Sequence, residues 1–177
     1  LPDQARQRAA WLYRRATASD LLHGRSREGI AAACVYAAAR DGEHPVTLNE
    51  VATASPVEKQ RISNDYRTVV HELGIELKPP KPEHFLAKVA SAVGVPFDVQ
   101  RRAAALLNAA RAERHHVGQN PSGVAAAAVY LAVDRSSVTQ QEVADAAGVS
   151  AATISRQVKT LRELSEPVET ERRTMRR

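Results

Sequence analysis

The chain carries one pattern twice. Gly24-Arg25-Ser26-Arg27-Glu28-Gly29-Ile30-Ala31-Ala32-Ala33-Cys34-Val35-Tyr36 returns 94 residues further on as Gly118-Gln119-Asn120-Pro121-Ser122-Gly123-Val124-Ala125-Ala126-Ala127-Ala128-Val129-Tyr130. The correspondence also runs backwards, pairing Pro2 with Pro96, Arg8 with Arg102, Leu12 with Leu106 and Ala16 with Ala110. Past Tyr36 and Tyr130 the offset drops to 92, because the second copy has a loop two residues shorter. There Thr47 meets Thr139, Glu50-Val51-Ala52 meet Glu142-Val143-Ala144, and Ile62-Ser63 meet Ile154-Ser155. A duplicated stretch of this size is a repeated domain rather than a short solenoid repeat. It divides the chain into a first unit at 1–77, a proline-rich linker at 78–82, a second unit at 83–164 and a polar, basic tail at 165–177.

Each copy reads as a run of helices, so the expected fold class is all-α. Residues 3–17 and 97–113 place apolar side chains at helical spacing. Residues 26–40 and 121–133 are apolar nearly all round. A helix without a polar face must be surrounded by protein, which marks each as the central helix of its bundle. Asn120-Pro121 reads as an N-cap followed by the first helical residue. Thr47-Leu48-Asn49-Glu50 and Thr139-Gln140-Gln141-Glu142 are capping boxes, in which Thr and Glu satisfy free amides at a helix start. Each opens a short helix, followed by a longer one at about 58–73 and 150–164. Lys78-Pro79-Pro80-Lys81-Pro82 reads as a stiff, extended linker. After it, Glu83 to Val93 forms one more helix, with Phe85, Leu86, Val89 and Val93 on one side. The matching point in the first copy is Leu1-Pro2. The expectation is therefore five helices in the second copy and four in the first. The chain reads as cut after the first helix of the first copy, with a groove left exposed or otherwise filled.

Composition narrows the function classes. Hydrophobic residues make up 44% and aromatics only 4%, so the cores must be built from Ala, Val, Leu and Ile. Net charge is +1 over 1–78, +3 over 79–164 and +1 over 165–177, which makes the second copy the more basic. That balance leans towards an anionic partner, although an ordinary solvated surface fits it too. The single cysteine, Cys34, excludes an internal disulfide framework and a cysteine-rich zinc site, and in an apolar helix it reads as a small buried thiol. No run reaches transmembrane length and no signal peptide is visible, which points to an intracellular, soluble chain.

Residues 139–159 carry the strongest local motif, the pattern of a helix-turn-helix. Ala144 is the small residue at the crossing, Gly148 makes the turn, and Val143, Ala147, Val149 and Ile154 point inward. Ser150 can cap the second helix, whose exposed face then carries Ala151, Ala152, Thr153, Ser155, Arg156 and Lys159. Such a helix reads bases from its N-terminal turns in the major groove. Ala and Thr methyls suit thymine methyls, Ser and Thr can bond base edges, and Arg reaches guanine. Lys159 and Arg162 suit phosphates. The same pattern also fits a helical hairpin used for packing only. In the first copy Ser55-Pro56 replaces Ala147-Gly148, and Glu58 and Asp65 make the second helix less suited to a phosphate-lined groove, so it reads as a protein-contacting surface.

An enzyme finds little support: there is no phosphate-binding Gly-rich loop, no HExxH-type metal pattern among six histidines, and no nucleophile arrangement. His115-His116, beside Arg111 and Arg114, suits surface or phosphate contact better than metal. The arginines of the tail can touch nucleic acid or simply be solvated, and its polar sequence leaves the order of the tail open.

Two helical repeats, a Gly-Arg-Ser turn before Ala31-Ala32-Ala33-Cys34-Val35-Tyr36-Ala37-Ala38-Ala39-Arg40, the Thr-x-x-Glu-Val-Ala box in both copies and a closing helix-turn-helix resemble the core of archaeal transcription factor B, the counterpart of eukaryotic initiation factor IIB. The likeness covers about residues 1–164. It implies two tandem cyclin-like five-helix repeats, the first lacking its first helix. It also implies a monomeric, non-enzymatic factor with no membrane attachment. Such a factor binds the complex of TATA-binding protein with promoter double-stranded DNA, reads the element beside the TATA box through the second helix-turn-helix, and recruits RNA polymerase. Carried over by position, the base-reading segment is Ala152-Thr153-Ile154-Ser155-Arg156. Many members have Arg where this chain has Ser155, and Arg or Lys where it has Gln119. Arg25 is implied in phosphate or TATA-binding-protein contact, Arg67 in contact with that protein's acidic surface, and Arg114 in DNA contact. The family's N-terminal zinc ribbon is absent from these residues, so no cofactor is expected, and the chain alone should bind the promoter complex without starting transcription. The implied place is the cytoplasm of an archaeal cell, on its nucleoid. The competing reading is a cyclin-like module of the kinase-regulator type that binds only protein.

Overall fold

The computed structural model describes residues 1–114, 118–133 and 138–174, with side chains followed as far as Glu163. The described residues form helices α1 (Asp3–Ala18), α2 (Arg27–Asp41), α3 (Leu48–Thr53), α4 (Lys59–Glu72), α5 (Pro82–Ala92), α6 (Phe97–Ala112), α7 (Pro121–Ala132), α8 (Gln140–Ala147) and α9 (Ala151–Thr174). The chain divides into two compact units, Leu1–Pro80 and Lys81–Arg177. Four described helices fall in the first and five in the second.

The nearly all-apolar helices are central, as their composition requires. In the second unit α7 packs against α5, α6, α8 and α9. Its run Ser122 to Val129 is buried throughout, and Ala125, Ala126, Ala127 and Ala128 are fully closed to solvent. Alanines at these points let four neighbours approach one axis. In the first unit α2 holds the same place against α1, α3 and α4. Each unit closes its own apolar core. Val89, Ala103, Leu107, Val124, Val129, Val143 and Ile154 lie in one, and Leu12, Ile30, Ala37 and Val69 in the other. A smaller cluster of Ala32, Val51 and Ile62 sits under α3.

Helix starts follow the sequence signals. Ser26 accepts a hydrogen bond from Gly29 N, and Asn120 accepts one from Ser122 N with Pro121 as first helical residue. Both capping boxes form: Thr47 N donates to Glu50 Oε2 at 2.8 Å, and Thr139 N to Glu142 Oε2 at 2.6 Å.

Two boundaries differ from expectation. Pro82 is not linker but the first residue of α5, where its missing N–H costs nothing because that amide has no helical acceptor. Helix α9 continues to Thr174 instead of ending near 164. The apolar period stops there, so nothing in the spacing marks the further turns, which run on through Pro167. Arg176 and Arg177 of the tail lie outside the described residues, as do His115 and His116.

The first unit has no described helix in the place of α5. There, a groove of about 590 Å³ between α2 and α3 is lined by apolar residues including Leu1, Ala31, Val35, Val51 and Pro56. Ala31 and Val35 are half-buried, whereas their counterparts Ala125 and Val129 are fully buried.

Candidate nucleic-acid interface

The helix-turn-helix of the second unit is built by a short chain of local causes. Helix α8 ends at Gly148, which takes φ 65° and ψ 36°, a left-handed conformation that a Cβ would strain. Val149 N then donates to Ala144 O at 3.0 Å, turning the chain back. Ser150 opens α9 by accepting a hydrogen bond from Thr153 N at 3.2 Å. Val143, Ala144 and Ile154 are fully buried at the crossing. Ser122, itself buried at the start of α7, donates its hydroxyl to Ala147 O at 2.7 Å and pins the turn to the central helix.

This geometry presents Ala152, Ser155, Arg156, Lys159 and Arg162 as exposed residues. Their spacing of three and four places them on one face of α9, opposite the buried Ile154, Val158 and Leu161. Among the described residues, Arg156 and Lys159 make no ion pair. Gln140, Ser155, Val158, Lys159, Arg162 and the acidic Glu163 line a cleft of about 380 Å³ between α8 and α9. The face therefore offers cationic and hydroxyl groups on a helix fixed from behind by packing. Thr153 is half-buried and differently engaged. Its Oγ1 lies 3.0 Å from Ser150 Oγ, and its methyl faces Gly123, so its side chain serves the start of α9.

The remaining candidates stand elsewhere. Arg114 is exposed in the turn after α6 with φ 58°, on a different element from the α9 face. In the first unit Arg67 is exposed on α4 and donates to Asn64 Oδ1 at 2.8 Å. Arg25 donates to Leu21 O at 3.3 Å, and its Nε lies 4.0 Å from Asp65 Oδ1.

Asp65 corrects the reading of the first hairpin. It does not sit on the exposed face of α4: it is 5% exposed and turned towards the start of α2. Arg61 also approaches it, at 3.8 Å. The exposed residues of α4 thus include Lys59 and Arg67 without that acidic charge, while Arg61 is turned to Asp65 and Glu58 stays exposed at the N-cap. Two further buried polar residues were not singled out by sequence. Gln157 is 4% exposed and donates its Nε2 to Gln119 Oε1 at 2.7 Å; Ser122 is 2% exposed. The signal for the first was present in the duplication, because Gln157 falls where Asp65 stands in the first copy and Gln119 where Arg25 stands.

Cys34 is 1% exposed, and burial pushes its thiol up to about 12, which keeps it protonated and unreactive. Among the described residues no group of three or more His, Cys, Asp or Glu gathers to hold a metal, and no helix is long and apolar enough to cross a membrane.

The family described as "Transcription factor TFIIB repeat" matches the chain twice, over residues 1–72 and 75–164. The chain is similar to Transcription initiation factor IIB 6 of Halobacterium salinarum, 46% identical over 156 residues, covering 87% of this chain and 49% of that protein. It is 40% identical over 168 residues to Transcription initiation factor IIB 2 of Haloferax volcanii, covering 94% and 51%. It is also 40% identical over 165 residues to Transcription initiation factor IIB of Archaeoglobus fulgidus, covering 92% and 51%. The chain spans about half the length of the curated relatives it matches. Two matched repeats, two helical units with alanine-rich central helices, and a helix-turn-helix closing the second place this chain in the TFIIB-repeat family of transcription factors.

Proposed function

We propose that this chain is the promoter-binding core of a general transcription initiation factor. It binds the complex of TATA-binding protein with promoter DNA, reads the element beside the TATA box through α9, and helps recruit RNA polymerase. It acts by binding and not by catalysis, and the reading assigns it no cofactor. The observation that carries it is the exposed face of α9, with Ser155, Arg156, Lys159 and Arg162 in one row on a capped helix. A recognition helix of this kind enters the major groove by its N-terminal turns. Arg156 has the reach for guanine O6 and N7, Ser155 for either base-edge class, and Lys159 and Arg162 for phosphates. The relatives carry the name of transcription initiation factors, which supports the same reading. Arg25, Arg67 and Arg114 are assigned to the surrounding contacts, the first two facing the TATA-binding protein or flanking phosphates.

The test is a mobility-shift titration of TATA-containing DNA with this chain, with and without TATA-binding protein. The expected result is a further shift only when that protein is present, weakening steeply as salt rises. Binding that never adds to the protein–DNA complex refutes the reading and favours a module that binds only protein. Arg156→Ala is expected to cost about 1–3 kcal/mol on element-bearing DNA and much less on scrambled DNA, if it contacts a base. Equal losses on both would move it to the backbone.

A further inference from the structure

The duplication contains an internal substitution experiment. In the first unit Arg25, in the turn before α2, faces Asp65 of α4. In the second unit the same two positions hold Gln119 and Gln157. Both pairs tie the turn before the central helix to the second helix of the hairpin, but by different chemistry. The amide pair is a direct hydrogen bond of 2.7 Å between neutral groups. The charged pair is looser. Asp65 Oδ1 is 4.0 Å from Arg25 Nε, Oδ2 is 3.8 Å from Arg61 Nε, and Oδ2 accepts no hydrogen bond among the described residues. Room for the carboxylate comes from Gly29, where an added Cβ would stand 2.3 Å from Asp65 Oδ2. At the matching Gly123 the nearest atom is the Thr153 methyl at 3.2 Å instead.

A buried carboxylate held at such distances is an expensive way to join two elements, because desolvation of the charge offsets most of its attraction to a cation. The second unit makes the same join without charge, so the fold does not require one. What the charged version retains is a guanidinium at the turn. Arg25 keeps a third of its side chain in solvent. Its Nη1 goes to Leu21 O and its Nε faces Asp65, which leaves Nη2 for an outside acceptor.

We propose that Asp65 is a positioning residue for Arg25: its buried carboxylate fixes where the Arg25 guanidinium is presented at the start of α2, as the charged form of a lock that Gln119 and Gln157 make in the second unit. This rests on the assignment of Arg25 to the promoter complex given above. The ligand atom Nη2 would meet is an anionic oxygen, of a phosphate or of a carboxylate on the TATA-binding protein, by a charge-assisted hydrogen bond.

The test is a double-variant cycle in the full chain, using Arg25→Gln, Asp65→Gln and the two together, which transplants the second unit's pair. Asp65→Asn, which keeps the shape of the side chain, replaces Asp65→Gln if that variant does not fold. Two quantities are read: the thermal midpoint, and the affinity for TATA-binding protein on promoter DNA well below that midpoint. The expected result is a lower midpoint for Asp65→Gln and a midpoint near the parent for the paired variant. Affinity is expected to fall on the order of 5–10-fold for Arg25→Gln, by a comparable factor for Asp65→Gln, and no further for the pair. Loss of affinity in Asp65→Gln runs against bulk electrostatics, since removing a negative charge raises attraction for DNA. A structural role alone would not reproduce it once the protein is folded. Parent-like affinity in Asp65→Gln, or losses that multiply in the pair, overturns the proposal while leaving the promoter reading intact. Failure of the parent chain to join the complex overturns both.

Discussion

At the scale of single residues, burial decides what a side chain can do more than its chemical type. Cys34 is a nucleophile by type, but at 1% exposure its pKa is pushed up to about 12 by burial. The native chain is therefore expected to resist a maleimide at pH 7.5 and to react fully once denatured, as followed by mass shift; rapid labelling of the native chain would contradict this placement. Asp65 is an acid by type, and sequence read it as a repellent surface charge, whereas it is buried and faced by two arginines. Gly29 leaves room for its carboxylate and for the Ser26 hydroxyl. Gly29→Ala puts a Cβ 2.3 Å from Asp65 Oδ2, and the overpacking is expected to cost about 1–3 kcal/mol. Gly123→Ala meets the Thr153 methyl at 3.2 Å, a mild crowding, and otherwise makes ordinary contacts at 3.9 Å, while gaining about 1 kcal/mol of helix propensity, so it should be near neutral. Thermal unfolding of the two variants checks the contrast, and equal losses would refute it.

At the scale of helices, caps and turns set the hairpin that carries the candidate interface. Thr139 and Glu142 hold the start of α8. The Thr139 backbone N–H, then its hydroxyl, hydrogen-bond the Glu142 carboxylate and pull its pKa below the usual glutamate value. A carboxyl whose folded pKa is depressed adds stability above its unfolded pKa and loses it as pH falls through the folded one. The contribution is thus full at neutral pH and fades below about pH 4.5. Unfolding of the parent and Glu142→Gln compared across pH 3–7 is expected to show a gap at neutral pH that closes in acid. A gap independent of pH would assign Glu142 a role other than its charge. Gly148, with φ 65°, governs the turn. The capping boxes, Asn120-Pro121 and Gly148 were all legible in sequence because they are local: residues within four positions satisfy one another. The end of α9 was not: its last ten residues carry no apolar period and include Pro167, which by itself argues for a helix end, yet the helix runs to Thr174.

At the scale of the molecule, each unit owns its core. Ile154 is fully buried among residues of the second unit alone. Ile154→Ala is expected to cost about 2–5 kcal/mol. Amide hydrogen exchange should accelerate chiefly in α5–α9, and equal acceleration in α1–α4 would mean that both units unfold as one. A core that is largely aliphatic, with Phe85 as a buried aromatic, also explains why the order of helices was readable. With aromatics at 4%, little but periodicity and alanine content distinguishes buried from exposed, and both survive in the sequence.

Sequence by itself determined the duplication, the all-helical class, the central alanine helices and the row Ser155, Arg156, Lys159 and Arg162, because each is a matter of spacing along one chain. Tertiary structure alone decided which polar residues face inward. The partners of Arg25 and Gln119 lie 40 and 38 residues away, at Asp65 and Gln157, and only the packing of the turn against α4 or α9 brings them into contact. It also gave Thr153 a structural part at its own helix start, with its methyl against Gly123 of α7 and its hydroxyl beside Ser150. Local hydrogen bonds and periodicity act over a turn or two of chain. Pairing of buried polar groups depends on where two helices cross, and no stretch of sequence shorter than the fold contains that.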